Sequence, residues 1–192
     1  MIQRVGLRSY DPAGFCPNGH NPGGRRWLQS CDEEIFASFD TPNGTRGARQ
    51  PKGLLMRWFN GWNMNRIRRK GGKVMGMDPL VLTTVGRKSG VERSSPVAYF
   101  PDGNDAWLVV ASANGAANNP AWYHNLAAHP DQVRVEMAGR KLAVSAEQLH
   151  GQAREQAWRR IKNDFPRFAK YEQQTDRELP VIRLQARSAS GT

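Results

Sequence analysis

A short cluster bounded by glycines carries the residues best suited to hold an anion. It reads Gly86-Arg87-Lys88-Ser89-Gly90 and is followed by Arg93, Ser94 and Ser95. Glycines let the backbone come close to a ligand, and cations and hydroxyls donate hydrogen bonds to a phosphate or carboxylate. The same composition suits a polar turn with solvated charges. The residues alone therefore leave open an anion site or an ordinary turn.

Two further segments could face a planar ligand. Small residues from Ser112 to Asn119 follow a hydrophobic run, which leaves room for a ring and exposes backbone amides. An ordinary loop fits that composition equally well. The next segment, Pro120-Ala121-Trp122-Tyr123-His124-Asn125, reads as a helix on which Trp122 and Asn125 share a face and Tyr123 lies on another.

No pattern indicates hydrolytic or metal catalysis. His124 lacks a partner of triad type and is more typical of a structural histidine. Cys16, His20 and Cys31 lack a fourth ligand and the paired spacing of a zinc site, so no metal is predicted. Neither GxGxxG nor GxxxxGK[ST] occurs, which argues against a dinucleotide-binding βαβ unit and a P-loop.

The elements that would position these clusters are short strands joined by hairpins. Apolar and β-branched runs predict strands over 80–85, 94–100, 105–112, 133–137, 142–146 and 181–185. Asp102-Gly103 and Gly139 mark tight turns. Asn119 is predicted to cap the helix that follows it, and a second helix is predicted over 151–164, before Pro166. Hairpins with inserted helices predict an α+β fold built on an antiparallel barrel.

The positive charge is concentrated in one segment. The chain has 192 residues, 28 of them Lys or Arg against 17 Asp or Glu, for a net charge of +11. Residues 49–73 supply eight basic residues and no acidic one, and the rest adds only +3. Leu55, Trp58, Phe59 and Trp62 recur there at helical spacing, so residues 51–78 are predicted to contain a basic amphipathic helix. It would dock on its own domain or bind an anionic membrane through residues 54–70. No nucleic acid is predicted as a partner, because no recognisable binding module accompanies the charge.

Residues 1–50 are rich in Pro and Gly and show no periodicity. They are predicted to be an irregular or disordered extension, or to precede a translation start such as Met56. No apolar run of about 18 residues is present, and no secretory signal is visible. Two cysteines cannot build a disulfide framework. A cytoplasmic protein is therefore expected, either free or peripheral on the inner face of the plasma membrane.

Four motifs, in order, resemble the deazaflavin-dependent nitroreductase family, also described as quinone reductases that use coenzyme F420. They are Leu82–Gly90, Arg93–Pro96, Asn119–Leu126 and Thr175–Pro180, within a resemblance that covers roughly residues 54–186. The resemblance implies a split β-barrel of the FMN-binding type with flanking helices, over residues 79–187 and followed by a tail at 188–192. It also implies an oxidoreductase that moves a hydride from the reduced 8-hydroxy-5-deazaflavin to an apolar acceptor, a quinone or a nitroaromatic. The alternatives are a split barrel that uses FMN and a protein that binds a deazaflavin or lipid without turnover.

The family's cofactor contacts can be carried over by position. They fall on Arg87, Lys88, Ser89, Arg93, Ser94, Ser95, Pro96, Val110, Ala111, Ser112, Ala113, Ala121, Trp122, Tyr123, His124 and Asn125. Under this resemblance Ser112, Tyr123 and Tyr171 are the candidate catalytic residues, as proton donors.

The chain departs from the family pattern at two positions. Many members have Lys where this chain has Ala113, so one anion contact is expected to be missing. A family Tyr associated with substrate and cofactor falls on Phe168, which puts nitroimidazole activation in doubt.

Overall fold

The chain folds around a six-stranded β-barrel. A computed structural model describes residues 39–49, 67, 73 and 76–187. The strands are β1 (Pro79–Val85), β2 (Glu92–Pro101), β3 (Ala106–Val110), β4 (Val133–Met137), β5 (Arg140–Gln148) and β6 (Val181–Ala186). They pair only in antiparallel fashion and close in the order β1-β2-β3-β6-β5-β4. The predicted antiparallel barrel with flanking helices is confirmed.

Three helices of the described part connect the strands. They are α1 (Ala121–Ala128), α2 (Gly151–Asp164) and α3 (Arg167–Gln174). The hairpin turns predicted at Asp102-Gly103 and at Gly139 are present, and both glycines have a positive φ that favours glycine.

The N-cap prediction for the first helix was wrong. Pro120 precedes Ala121 at the N-terminus of α1, and no side chain caps it. The Asn119 amide is occupied elsewhere, since its Oδ1 accepts from Arg177 Nη1 at 2.9 Å and its Nδ2 donates to the Thr41 carbonyl at 2.9 Å.

The hydrophobic core has two parts because several strands are buried on both faces. Alternate residues such as Leu80, Leu82 and Val109 point into the barrel. Their neighbours Leu108 and Val110 pack outward against α2 and α3. This double burial explains why β1 and β3 read as continuous apolar runs rather than as alternating ones.

Residues 39–49, here called the strap, lie on the barrel without regular secondary structure. The Gly44 amide donates to the Ala117 carbonyl at 2.8 Å, and the Ala48 amide donates to the Gly115 carbonyl at 2.8 Å. This part of the N-terminal stretch is therefore irregular in conformation but held in contact with the domain.

Several predictions fall outside the described residues. These are most of the basic amphipathic helix at 51–78, the Cys16, His20 and Cys31 cluster, and the tail at 188–192. Within the described ranges, no helix combines the length and the apolar character needed to cross a bilayer.

Candidate active site

A cavity of about 470 Å³ is lined by the basic cluster; we call it the basic cavity. Its described walls are Gly86, Arg87, Lys88, Ser89, Arg93, Ser94, Ser95, Ala121, Trp122, His124 and Asn125. They include three cations and no carboxylate. The arrangement favours an anionic ligand, because its charge would be matched by guanidinium and ammonium donors.

Asn125 fixes the turn between β1 and β2 that presents these cations. Its side chain is buried, accepts a hydrogen bond from the Arg87 amide at 3.1 Å and donates one to Thr84 Oγ1 at 3.0 Å. Gly86 must lack a side chain here, since a Cβ would lie 2.7 Å from Ser89 Oγ. The turn is thus anchored to α1 rather than free.

His124 lies on the same wall as Arg87. Burial, together with the positive charge of Arg87, holds the pKa of His124 below its ordinary value. The imidazole is therefore neutral at neutral pH. An anion bound beside it would favour its protonated form.

Most of the residues that line a second cavity, of about 320 Å³, are apolar; we call it the apolar cavity. Ile67, Met77, Pro79, Pro96, Val97, Ala98, Val110, Ser112, Ala113, Asn114, Pro120, Trp122, Arg167, Phe168 and Tyr171 line it. Trp122 lines both cavities, and β2 runs from one to the other, with Ser95 in the basic cavity and Pro96 in the apolar one. The two cavities can therefore hold one ligand that has an apolar ring and an anionic tail.

The loop after β3 forms one side of the apolar cavity and has an unusual backbone. Ala113, Asn114 and Gly115 have φ values of 44°, 51° and 76°. A left-handed conformation is strained for alanine, tolerated by asparagine and easy for glycine. Such a loop persists only where its surroundings hold it.

Arg177 holds this loop from behind. The residue is 6% exposed. Its Nη2 donates to the carbonyls of Ala111 and Ser112, both at 2.9 Å, and its Nε donates to the Ala116 carbonyl at 2.9 Å. Burial lowers the pKa of Arg177 to about 10, which leaves the guanidinium charged at neutral pH. Arg177 is thus a positioning residue for the cavity wall.

The strap covers the same loop. A Cβ on Gly47 would lie 2.1 Å from the Ala117 nitrogen, so the two backbones are in direct contact. At the other end of the strap, the Thr41 amide donates to the Tyr123 hydroxyl at 3.1 Å. The strap therefore buttresses both the loop and α1.

Asp176 ties the strap to the turn before β6. Its carboxylate accepts from the Thr45 hydroxyl and from the Arg46 amide, and these bonds lower its pKa to about 2 from 3.8.

Because the folded-state pKa is depressed, the stabilisation from this carboxylate is complete above pH 3.8 and is lost as the pH falls toward 2. The difference in unfolding free energy between the wild type and Asp176→Asn should therefore be smaller at about pH 3 than at about pH 6, as measured by urea denaturation. A difference that does not change between the two pH values would contradict this role.

The structure brings most of the predicted site residues together. Ten of them line the basic cavity: Arg87, Lys88, Ser89, Arg93, Ser94, Ser95, Ala121, Trp122, His124 and Asn125. Pro96, Val110, Ser112, Ala113 and Tyr171 line the apolar cavity.

Two predicted residues line neither cavity. Ala111 is buried, and Tyr123 is 2% exposed with its hydroxyl donating to Gln148 Oε1 at 2.7 Å. Burial also raises the pKa of Tyr123. Its proton is therefore engaged inside the barrel, away from a ligand.

Three features were missed at the level of sequence. They are Arg167 on the cavity wall, Arg177 behind the loop, and the strap. Arg177 lies in the Thr175–Pro180 motif, so the family resemblance could have drawn attention to it. The motif alone does not show what Arg177 does.

Comparisons with known proteins add an independent line of evidence. A family model described as F420H(2)-dependent quinone reductase matches residues 56–186. An F420H(2)-dependent quinone reductase of Mycobacterium tuberculosis (strain ATCC 25618 / H37Rv) is 36% identical over 123 residues, 62% of this chain and 81% of the relative.

Two solved structures are similar in fold and sequence. One, described as an F420-H2 dependent reductase, is 32% identical with a TM-score of 0.51, and the match covers 56% of this chain and 93% of the other. A second, described as a domain-swapped dimer, is 29% identical with a TM-score of 0.52, covering 68% of this chain and 99% of the other.

Proposed function

The chain belongs to the F420H(2)-dependent quinone reductase family, and on that premise we propose that it transfers a hydride from reduced coenzyme F420 to a quinone. The observation that carries the proposal is the pair of cavities that share Trp122, one apolar and one basic. A deazaflavin with a phosphate and an oligoglutamate tail has the same two-part chemistry.

The residues present fit this coenzyme. The tail carries several negative charges, and Arg87, Lys88 and Arg93 line the basic cavity without a competing carboxylate among its described walls. Many family members have Lys where this chain has Ala113, so the loop has one cation fewer here, while Arg87, Lys88 and Arg93 remain. The apolar cavity offers the ring a wall formed by Trp122.

When bound, the coenzyme supplies the hydride, and the chain supplies orientation and a pocket lined mostly by apolar residues. Ser112 and Tyr171 line the apolar cavity and are the proposed proton donors to the reduced acceptor. Tyr123 is not proposed for this role, because its hydroxyl is bound to Gln148.

A quinone is the proposed acceptor. It is apolar, which suits a cavity lined mostly by apolar residues. Phe168, where family members have the Tyr associated with substrate, is 4% exposed and packs edge-on against Phe100 and Tyr171. It offers no hydroxyl to a nitro group, so slower turnover of nitroaromatics than of quinones is part of the proposal.

Lys88→Ala tests the tail site. We expect coenzyme binding to weaken by about 1–2 kcal/mol, roughly five- to thirtyfold, because one charge-assisted contact is lost. Fluorescence titration at low salt measures the dissociation constant. A deazaflavin without its phosphate and glutamates should bind the variant and the wild type equally.

Lys141→Ala is the matched control, since Lys141 is exposed on β5 and lines neither cavity. An unchanged dissociation constant in Lys88→Ala would remove Lys88 from the site. Preferential binding of flavin mononucleotide would favour the FMN alternative instead.

We also propose that residues 54–70 contact an anionic membrane surface, where a lipid-soluble quinone would be found. The support is the charge of residues 49–73 and the aromatic residues among them. Equal flotation of the full chain with anionic and neutral vesicles would refute it.

A further inference from the structure

Among the described residues that line the apolar cavity, Arg167 is the one cation, and the proposed hydride transfer gives it no role. Arg167 begins α3 and lines this cavity together with Phe168 and Tyr171. Its Nη1 atom is buried and has no hydrogen-bond partner in the part of the chain that the structure describes. No carboxylate is among the described residues that line the cavity.

Arg167 as a whole is only partly buried, but a buried N–H donor without a partner is costly. An N–H group removed from water without a new acceptor destabilises a protein, and more so when it belongs to a charged group. Arg154 Nε also lacks a hydrogen-bond partner in the described part, but it lies 3.0 Å from a carboxylate oxygen of Glu178, and Arg177 donates to backbone carbonyls. Arg167 is thus suited to an acceptor atom brought by a ligand.

We propose that Arg167 binds the acceptor, with Nη1 donating to a ring carbonyl oxygen that becomes negatively charged during reduction. This inference rests on the proposed function and names the residue that recognises its substrate. The quinone gains two electrons and one hydrogen as hydride, which leaves one quinol oxygen anionic until a proton from Ser112, Tyr171 or solvent neutralises it. The coenzyme is oxidised by the same two electrons.

Under this proposal the Arg167 guanidinium mainly raises the rate of hydride transfer. Its hydrogen bond to a neutral carbonyl is modest, whereas its interaction with the developing oxyanion is stronger because two opposite charges then meet. An interaction that strengthens in the transition state raises kcat more than it lowers KM.

Steady-state kinetics with menadione test the proposal in the full-length protein. Arg167→Met should lower kcat by about tenfold to a hundredfold with a smaller change in KM, and Arg167→Lys should restore part of the loss. The dissociation constant of the coenzyme should stay within about twofold, because the charged contacts to its anionic tail come from the basic cavity, which Arg167 does not line. Lys170→Met, which removes an exposed cation from the same helix, is the control and should match the wild type.

A stability measurement separates this role from a structural one. Removing a buried donor that has no partner leaves nothing unsatisfied, so Arg167→Met should unfold at a temperature equal to or above that of the wild type. A clear drop in Tm together with weaker coenzyme binding would mean that Arg167 is a structural residue and would overturn the proposal.

An equilibrium experiment makes the inference independent of turnover. The probes are a hydroxynaphthoquinone that is anionic at neutral pH and the neutral menadione. Arg167→Met should weaken binding of the anion by about tenfold or more and of menadione by less than about threefold. If Arg167→Met shows this pattern of binding but the wild type shows no turnover, the proposed function is refuted, and Arg167 is supported as an oxyanion-binding residue. Equal affinities of the variant and the wild type for both probes, with normal turnover, would overturn the inference alone.

Discussion

Replacing Arg177 with methionine is expected to lower the free energy of unfolding by about 3–5 kcal/mol. The reason is that its guanidinium satisfies the carbonyls of Ala111, Ser112 and Ala116 and the side chain of Asn119, all deep in the protein. Methionine fills similar space but donates no hydrogen bond, so the Ala111 carbonyl and Asn119 Oδ1 lose their donor, whereas the Ser112 carbonyl keeps the bond from the Gly115 amide. Since whole domains are stable by only about 5–15 kcal/mol, the variant should lie close to the limit of folding.

Arg177→Lys separates charge from geometry. One ammonium group keeps the charge but cannot donate along the several directions of the planar fork, so a smaller loss of about 2–3 kcal/mol is expected. Coenzyme binding should weaken in this folded variant, because the loop at 111–116 loses its support. Urea denaturation measures the free energy of unfolding, and fluorescence titration measures the dissociation constant of the coenzyme.

Arg160→Met is the matched control for Arg177. Arg160 is half-exposed and pairs with Asp102, and such a surface ion pair contributes less than about 1 kcal/mol. If Arg177→Met lowered the free energy of unfolding by no more than Arg160→Met does, Arg177 would not be the residue that holds the loop.

Gly47→Ala is expected to release the strap. The new Cβ would lie 2.1 Å from the Ala117 nitrogen and 2.5 Å from the Ala116 carbonyl carbon, and these backbone atoms cannot move aside alone. A clash of this kind costs about 2–3 kcal/mol, so the strap should leave the loop rather than compress it. Urea denaturation measures the loss, and faster tryptic cleavage after Arg46 and Arg49 reports the release.

Pro42→Ala is the control within the strap. Pro42 is exposed, so its replacement should change the tryptic cleavage rate little. Slow cleavage of Gly47→Ala, equal to that of the wild type, would show that the strap does not depend on this close contact.

The barrel was predictable because its signals are local. Glycine turns, β-branched runs and alternating strands such as Val133–Met137 identify hairpins directly from the order of residues. The cation cluster was predictable for the same reason, because its members lie in one turn and at the start of β2. Only the resemblance to a known family predicted that this cluster and residues now found in the apolar cavity belong to one site.

The missed features depend on contacts between distant parts of the chain. Asn119 has the composition of a helix cap, yet its amide is bound by Thr41 and Arg177, which are 78 and 58 residues away. No local pattern distinguishes these two uses of an asparagine. The strap likewise has no periodicity, since it is held by backbone contacts, by Asp176 and by one aromatic side chain, Phe39, rather than by a repeating apolar face.

The fold separates the basic residues of the chain by their location. Arg87, Lys88 and Arg93 share one cavity, whereas Arg177 supports a loop and Arg167 lines the apolar cavity. These five cations serve three different purposes, which net charge alone cannot separate.

Hydride transfer to a quinone is the central claim, and one measurement tests it most directly. Full-length protein is mixed anaerobically with reduced coenzyme F420 and menadione, and the fluorescence of the oxidised deazaflavin is followed. We expect fluorescence to recover at a rate proportional to protein concentration and to an extent equal to the quinone added. If the fluorescence recovers no faster than it does without protein, the claim is contradicted, whether or not the protein binds the coenzyme.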